Sequence, residues 1–147
     1  MYGINSMRRN RVGFTLVELA VVVIIIGVLA AFGVPRFRDS VERSKASEAY
    51  GYLTSVVSAQ ERYHARQGTY ADVLTKLDIT LPDPKYFSVG AIAPATSGSL
   101  EDSWKLTLTR SGASAGYGAY TVTFNLNGFD SAESTITAKP TINPMGS

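Results

Sequence analysis

The sequence contains no cysteine among its 147 residues and a single histidine, His64. Without cysteine the chain forms no disulfide and offers no thiolate ligand to a metal. A catalytic triad or a zinc cluster would have to be built around His64, whose neighbours Arg62 and Arg66 suit a solvated helical face better than a general-base site. We therefore expect a protein that is not an enzyme and that has no cofactor and no metal site.

A basic surface is lacking as well, although the formal net charge is +2. The first 13 residues hold Arg8, Arg9 and Arg11 and no acid, so the rest of the chain carries 11 basic and 12 acidic side chains, a net charge of −1. No basic stripe remains outside this short N-terminal segment. We therefore predict no direct nucleic-acid binding.

The chain does have one long apolar run, from Phe14 to Val34. As a helix these residues would be about 32 Å long at about 1.5 Å per residue, close to the thickness of a bilayer core of about 30 Å. The arginines before the run favour a cytoplasmic N-terminus, with the rest of the chain outside. Two other interpretations remain open, namely a secretory signal peptide cleaved within "GVLAAFG" and a plain membrane anchor.

A carboxylate inside this run, Glu18, does not fit a plain anchor. Its cost in a membrane helix is roughly 2.5 to 3.5 kcal/mol, and no Lys, Arg or His lies elsewhere in the run to offset it. Cleavage between Gly13 and Phe14 would create an α-ammonium four residues before the acid, and a neighbouring chain could present that group to Glu18. The alternative is a glutamate that snorkels at the membrane edge.

The run and its leader resemble the N-terminal signature of type IV pilins and of type II secretion pseudopilins. The resemblance rests on a short basic leader followed by "GFTLVE" and an apolar helix, over residues 8 to about 38. It implies that a prepilin peptidase cuts after Gly13 and methylates Phe14, and that Glu18 is the assembly glutamate. It also implies that the helix bends or loosens at Gly27 and Pro35 within a filament.

Two features depart from the common family pattern. The leader of 13 residues is long, and a start at Met7 would shorten it to "MRRNRVG". Many family members close a C-terminal loop with a disulfide, which this chain cannot form. The outer loop must therefore be held in another way.

Downstream, the pattern predicts an α+β, pilin-like fold, with a long N-terminal helix packed on an antiparallel sheet of three or four strands. We divide the chain into a leader (1–13), a membrane and assembly helix (14–35), its amphipathic continuation (36–67) and a C-terminal β domain (68–147). Alternation predicts strands in "WKLTLTR", "AYTVTFNL" and "STITAK". The tail "KPTINPMGS" is expected to be mobile.

Four acids in the C-terminal part of the chain invite comparison with the calcium loop of major pseudopilins, because carboxylates on a loop can bind a hard cation. They are Glu101, Asp102, Asp130 and Glu133. Their spacing is not that of an EF-hand, so a polar loop is favoured and no metal is assigned.

These observations predict a structural subunit of a type IV pilus-like filament, used in adhesion, motility or DNA uptake. A type II secretion pseudopilin is the alternative within the family, and a membrane-anchored or secreted binding domain is the alternative from another class. The expected partners are further copies of the chain in a helical filament, the prepilin peptidase, an assembly platform and the cytoplasmic membrane. The subunit would wait in that membrane and then move to a surface pilus or a periplasmic filament.

Overall fold

A computed structural model of the chain describes residues 13–95, 98–114 and 116–146. The predicted leader before Gly13, with its arginines and both candidate start methionines, lies outside the described residues. The contacts divide the chain into two units, Met1–Arg36 and Phe37–Ser147. The boundary falls one residue after Pro35.

A long helix, α1, covers Leu16–Gln67 and continues without interruption through Gly27 and Pro35. It ends where Gly68 adopts φ 74° and donates its N–H to the carbonyl of His64 at 2.8 Å. Glycine occupies this left-handed conformation without steric cost, which makes it a common residue directly after a helix.

The second unit contains a four-stranded antiparallel sheet in the order β1-β2-β3-β4. The strands are β1 (Phe87–Val89), β2 (Lys105–Arg110), β3 (Thr121–Asn125) and β4 (Gly128–Phe129). A short 3₁₀ helix, Leu74–Lys76, lies between α1 and β1, and a second, Thr135–Ala138, follows β4. The expected pilin-like α+β fold is confirmed.

Apolar side chains from α1 and from one face of the sheet form the core of this unit. In β2, Leu106 and Leu108 are buried and alternate with half-buried residues, and they pair in register with Phe124 and Val122 of β3. The helix contributes small and aliphatic residues: Ala46, Ala49, Leu53, Val56 and Ala59 are fully buried. These five residues lie on the helix side of the core of this unit.

Two expectations for the C-terminal segment are wrong. "STITAK" forms the 3₁₀ helix Thr135–Ala138 instead of a strand. The tail is also anchored, since Ile142 is completely buried and Tyr50 donates a hydrogen bond to Asn143 Oδ1 at 2.7 Å. One buried apolar residue in a mostly polar tail is a weak sequence signal, and here it anchors the tail together with the hydrogen bond from Tyr50.

The C-terminal loop is held by side-chain hydrogen bonds in place of a disulfide. The backbone N–H of Thr123 donates to Ser134 Oγ at 2.8 Å, and that of Thr121 donates to Thr135 Oγ1 at 2.7 Å. These hydroxyl groups satisfy backbone donors of β3 that would otherwise lack partners. Lys105 also forms an ion pair with Glu133 at 2.7 Å.

Candidate assembly site

The first turn of α1 contains the predicted assembly carboxylate in a defined local geometry. The backbone N–H and the hydroxyl of Thr15 both donate to Glu18 Oε2 at 2.8 Å. In return, the backbone N–H of Glu18 donates to Thr15 Oγ1 at 3.2 Å. This reciprocal arrangement is a capping box, which satisfies N–H groups that a helix start leaves without partners.

Apolar side chains around this turn and along the rest of the described part of the first unit are exposed. Phe14 is 82% exposed and Leu16 is 87% exposed, and the large apolar residues that follow them are exposed too. The helix is long and apolar enough to cross a membrane. Such a surface is stable in lipid or against other apolar helices, and an aqueous environment does not suit it.

The residues of the predicted cleavage site lie directly before the helix. Gly13 and Phe14 are both exposed. Gly27 and Pro35 lie within α1. A Cβ added at Gly27 would meet nothing within 4 Å, so its own unit gives no steric reason for a glycine there.

A second polar feature, in the other unit, fixes the sheet on the helix. Strand β2 alternates so that Arg110 faces the core together with Leu106 and Leu108, and Arg110 is only 3% exposed. A charge in that position is costly unless it is paired and hydrogen-bonded. Glu42 of α1, which is 1% exposed, provides the partner: Arg110 Nε donates to its Oε1 at 2.6 Å.

The remaining hydrogen-bonding capacity of this pair is also used. Tyr120 donates its hydroxyl to Glu42 Oε1 at 3.0 Å, and Lys45 reaches Oε2 at 3.3 Å. The guanidinium of Arg110 donates further to the carbonyls of Tyr86, Ser111 and Ala113. One side chain therefore connects α1 with the segment before β1 and with the loop after β2.

The pKa values of this cluster reflect its pairing. Burial alone would raise the pKa of Glu42, but hydrogen bonds from Arg110 and Tyr120 and the charge of Arg110 hold that pKa below its usual value of 4.5. The hydrogen bond to Glu42 raises the pKa of Arg110. Burial, together with the Glu42 carboxylate, raises the pKa of Tyr120. Glu42 is therefore ionised and Tyr120 is neutral near pH 7.

Two of the acids that invited comparison with a calcium loop, Asp130 and Glu133, have carboxylates with partners within the protein. Asp130 accepts hydrogen bonds from the backbone N–H groups of Ala132 and Glu133 and from Asn125 Nδ2. Within the described residues no group of three or more His, Cys, Asp or Glu could hold a metal ion. The carboxylate of Asp130 has a visible role as a turn cap.

Sequence reasoning missed Thr15, Glu42 and Arg110. Thr15 was detectable, because threonine followed three residues later by glutamate before an apolar run is a capping-box signature. Arg110 was detectable in part, since strand alternation places it on the face of Leu106 and Leu108. Glu42 was not, because it meets Arg110 across 68 positions of sequence.

Comparison with known proteins supports the class that the fold and the N-terminal motif define. The prokaryotic N-terminal methylation motif matches residues 8–34. A second family, described as the type IV minor pilin ComP, DNA uptake sequence receptor, matches residues 35–146. Because that match covers more than half of the sequence, the chain belongs to this family of type IV pilins.

Individual relatives match only part of this chain, and only part of their own length is covered. The chain is 44% identical over 69 residues to the type IV major pilin protein PilA of Myxococcus xanthus, which covers 47% of this chain and 31% of that protein. It is 38% identical over 64 residues to the fimbrial protein EcpC of Eikenella corrodens, covering 44% and 42% respectively. It is 32% identical over 77 residues to the type II secretion system core protein G of Pseudomonas aeruginosa, covering 52% and 54%. The chain thus matches about a third to a half of the length of these relatives.

Proposed function

We propose that this chain is a structural subunit of a type IV pilus-like filament. A prepilin peptidase would cleave it after Gly13 and methylate Phe14, and the subunit would wait in the cytoplasmic membrane with its leader inside. The helices of the first unit would then bundle, with the α-ammonium of Phe14 in one copy paired with Glu18 of its neighbour. A contact of this head-to-tail kind does not close on itself and so generates a filament.

The observation that carries this proposal is the single carboxylate in an exposed apolar helix. Between Phe14 and Val34 the only charged side chain is Glu18. The apolar surface around it needs lipid or other helices, and the carboxylate needs a cation or hydrogen-bond donors there. A bundle of identical processed helices provides both.

The test is the substitution Glu18→Ala in a strain that processes the wild-type chain. We expect the yield of sheared filaments to fall at least tenfold while the abundance of cleaved subunit stays constant. Glu61→Ala is the matched control, because Glu61 is an exposed acid of the same helix outside the apolar run. An unchanged filament yield for Glu18→Ala would contradict the proposal.

A pseudopilin role is the alternative within the family, and the match to core protein G supports it. The two roles differ in where the filament ends up. Electron microscopy at native expression distinguishes them, since long surface fibres indicate a pilus and a filament confined to the envelope indicates a pseudopilus.

A second candidate function is contact with DNA by the assembled filament. The family match supports it, because the description of that family names a DNA uptake sequence receptor and the match covers the second unit. This unit has a net charge of −1, and most of its cations form ion pairs with acids. The cations of this unit that take no part in those ion pairs are Arg38, Arg43, Lys85 and Lys139.

This candidate predicts binding that depends on salt and on cations outside the ion pairs, of which Arg43 and Lys139 are tested here. Duplex DNA binding to the detergent-solubilised full chain would be followed by fluorescence anisotropy at several salt concentrations. We expect the double variant Arg43→Ala with Lys139→Ala to bind DNA more weakly. The slope of log K against log salt concentration should become shallower by the amount that about two phosphate contacts contribute. Absence of binding at low salt would leave the sequence-based prediction of no nucleic-acid contact in place.

A further inference from the structure

We propose that Thr15 is a positioning residue for filament assembly, which directs Glu18 through the capping box so that one carboxylate oxygen stays available to the neighbouring subunit. The inference rests on the proposed function and specifies how its central side chain works. It assigns separate roles to the two oxygens of Glu18, with Oε2 held within the chain and Oε1 presented to the Phe14 ammonium of the next copy.

The distances support this division. Both donors of Thr15, its backbone N–H and its hydroxyl, lie 2.8 Å from Oε2, and neither hydrogen bond uses Oε1. The backbone N–H of Glu18 closes the box on Thr15 Oγ1 at 3.2 Å. The carbonyl of Thr15 accepts the first hydrogen bond of the helix, from Leu19 at 3.3 Å, which makes Thr15 the N-cap residue.

This geometry turns the carboxylate towards the start of the helix. Helical side chains already lean towards the N-terminus, and the two hydrogen bonds to Oε2 fix that orientation. A glutamate that snorkelled freely would sample many rotamers, and each assembly step would have to select one of them. A carboxylate held by its own turn loses less rotamer freedom when a neighbour binds.

The cap does not depend on the leader. Cleavage between Gly13 and Phe14 leaves Thr15 with its amide N–H, its hydroxyl and its carbonyl. The same two hydrogen bonds to Oε2 can therefore form before and after processing. Before assembly they offset part of the cost of a carboxylate in the membrane, and during assembly they orient it.

The experiment measures incorporation of variants into wild-type filaments. Tagged Thr15→Val, Thr15→Ser, Glu18→Ala and the double variant Thr15→Val with Glu18→Ala would each be co-expressed with the wild-type chain. Quantitative mass spectrometry would give the ratio of variant to wild type in sheared filaments, divided by the same ratio for cleaved subunits in the membrane. Because wild-type subunits supply the filament, even a poorly assembling variant gives a measurable ratio.

We expect Thr15→Val to lower this ratio about fivefold, the size of effect that loss of an N-cap produces. Thr15→Ser retains the hydroxyl and should stay within about twofold of wild type. In the double variant, Thr15→Val should add nothing to the effect of Glu18→Ala, because its role passes through that carboxylate. A role of Thr15 in folding alone would reduce incorporation equally in both backgrounds.

The outcomes that would overturn the inference are separable from failure of the proposed function. Normal incorporation of Glu18→Ala contradicts the proposed function itself. If incorporation is impaired for Glu18→Ala but normal for Thr15→Val, only the positioning role is contradicted. The same conclusion follows if the effects of the two substitutions on incorporation add in the double variant. Loss of cleavage in Thr15→Val, detected from the N-terminal mass, would assign Thr15 to recognition by the peptidase and also overturns the inference.

Discussion

The two units of this chain differ in the exposure of their apolar side chains and in the origin of the groups that pair with their carboxylates. In the described part of Met1–Arg36 the large apolar side chains are exposed, and the carboxylate of Glu18 is satisfied in part by its own helical turn. In Phe37–Ser147 most of the large apolar side chains are buried or partly buried, and the carboxylate of Glu42 meets Arg110 from a distant strand. The second unit holds its own core, whereas the described part of the first presents apolar surface that lipid or other apolar helices would cover.

This difference predicts which property each substitution changes. Changes in the second unit should alter the free energy of unfolding, while changes in the first should alter assembly and leave unfolding unaffected. Unfolding of the full chain in detergent can be followed by the fluorescence of Trp104, the only tryptophan in the sequence and a completely buried residue.

The largest effect on unfolding is expected from Arg110→Ala. It leaves Glu42 buried without its cation and removes the donors to three carbonyls, which should cost about 3 to 5 kcal/mol. Lys76→Ala is the control, because Lys76 pairs with Asp72 on an exposed surface and its loss should cost at most about 0.5 kcal/mol. Equal costs in urea unfolding would contradict the importance of the buried pair.

The same pair should make stability depend on pH. Because the folded pKa of Glu42 is lowered, its contribution is fully present above its usual value of 4.5 and is lost as the pH falls below that value. The pKa values of Asp72 and Asp78 are lowered as well, so the wild-type curve alone is not diagnostic. The difference in unfolding free energy between wild type and Glu42→Gln should shrink towards acid pH, and a constant difference would contradict this assignment.

A smaller cost is expected where a glycine lies against a strand. A Cβ added at Gly90 would lie 2.8 Å from the carbonyl oxygen of Thr107, so Gly90→Ala should cost about 1 to 3 kcal/mol through a backbone shift. At Gly51, within α1, a Cβ would meet nothing within 4 Å. Gly51→Ala should therefore stabilise the unit by about 0.5 to 1 kcal/mol. Effects of the same sign in thermal unfolding would refute the argument.

Anchoring of the tail should contribute about 1 kcal/mol. Tyr50→Phe removes the hydroxyl that donates to Asn143 Oδ1 and keeps the ring that packs against Phe124 and Phe129. Amide hydrogen exchange should become faster at Ile142 and Asn143 and stay unchanged in β2. Unchanged exchange in the tail would mean that burial of Ile142 alone holds it.

The smallest effect on unfolding is expected in the first unit. Ile25 is 53% exposed, so Ile25→Ala should change the free energy of unfolding by less than about 0.5 kcal/mol. The same substitution removes surface that would pack between helices in the proposed filament. We expect reduced filament yield with unaltered unfolding, and a large change in unfolding would erase the contrast between the two units.

The sequence predicted the fold class and the longest strands because their signals are local. A long apolar run indicates a helix, and "KLTLTR" alternates with the period of a strand. The signals for β1 and β4 are too short, since these strands contain three and two residues and depend on pairing with β2 and β3. "STITAK" has strand-like composition, yet its serine and first threonine use their hydroxyls to bind the backbone of β3, and the segment turns.

The residues of the candidate site also divide into those with a local sequence signal and those that depend on contacts between distant parts of the chain. The cleavage and assembly residues Gly13, Phe14 and Glu18 come from one contiguous motif, and their roles stay predictions. Thr15 was overlooked although its capping pattern is visible in "TLVE". The contact between Glu42 and Arg110 could not be read from the sequence, because nothing local specifies which carboxylate of a helix meets which strand.

The most direct test of the account is the N-terminal mass of the protein in sheared filaments from its native host. The account predicts a chain that starts at Phe14, carries one added methyl group and is the species present in the fibres. A chain that retains its leader in a host with an active prepilin peptidase, or that begins near Phe32, would contradict it and indicate an ordinary anchored or exported domain.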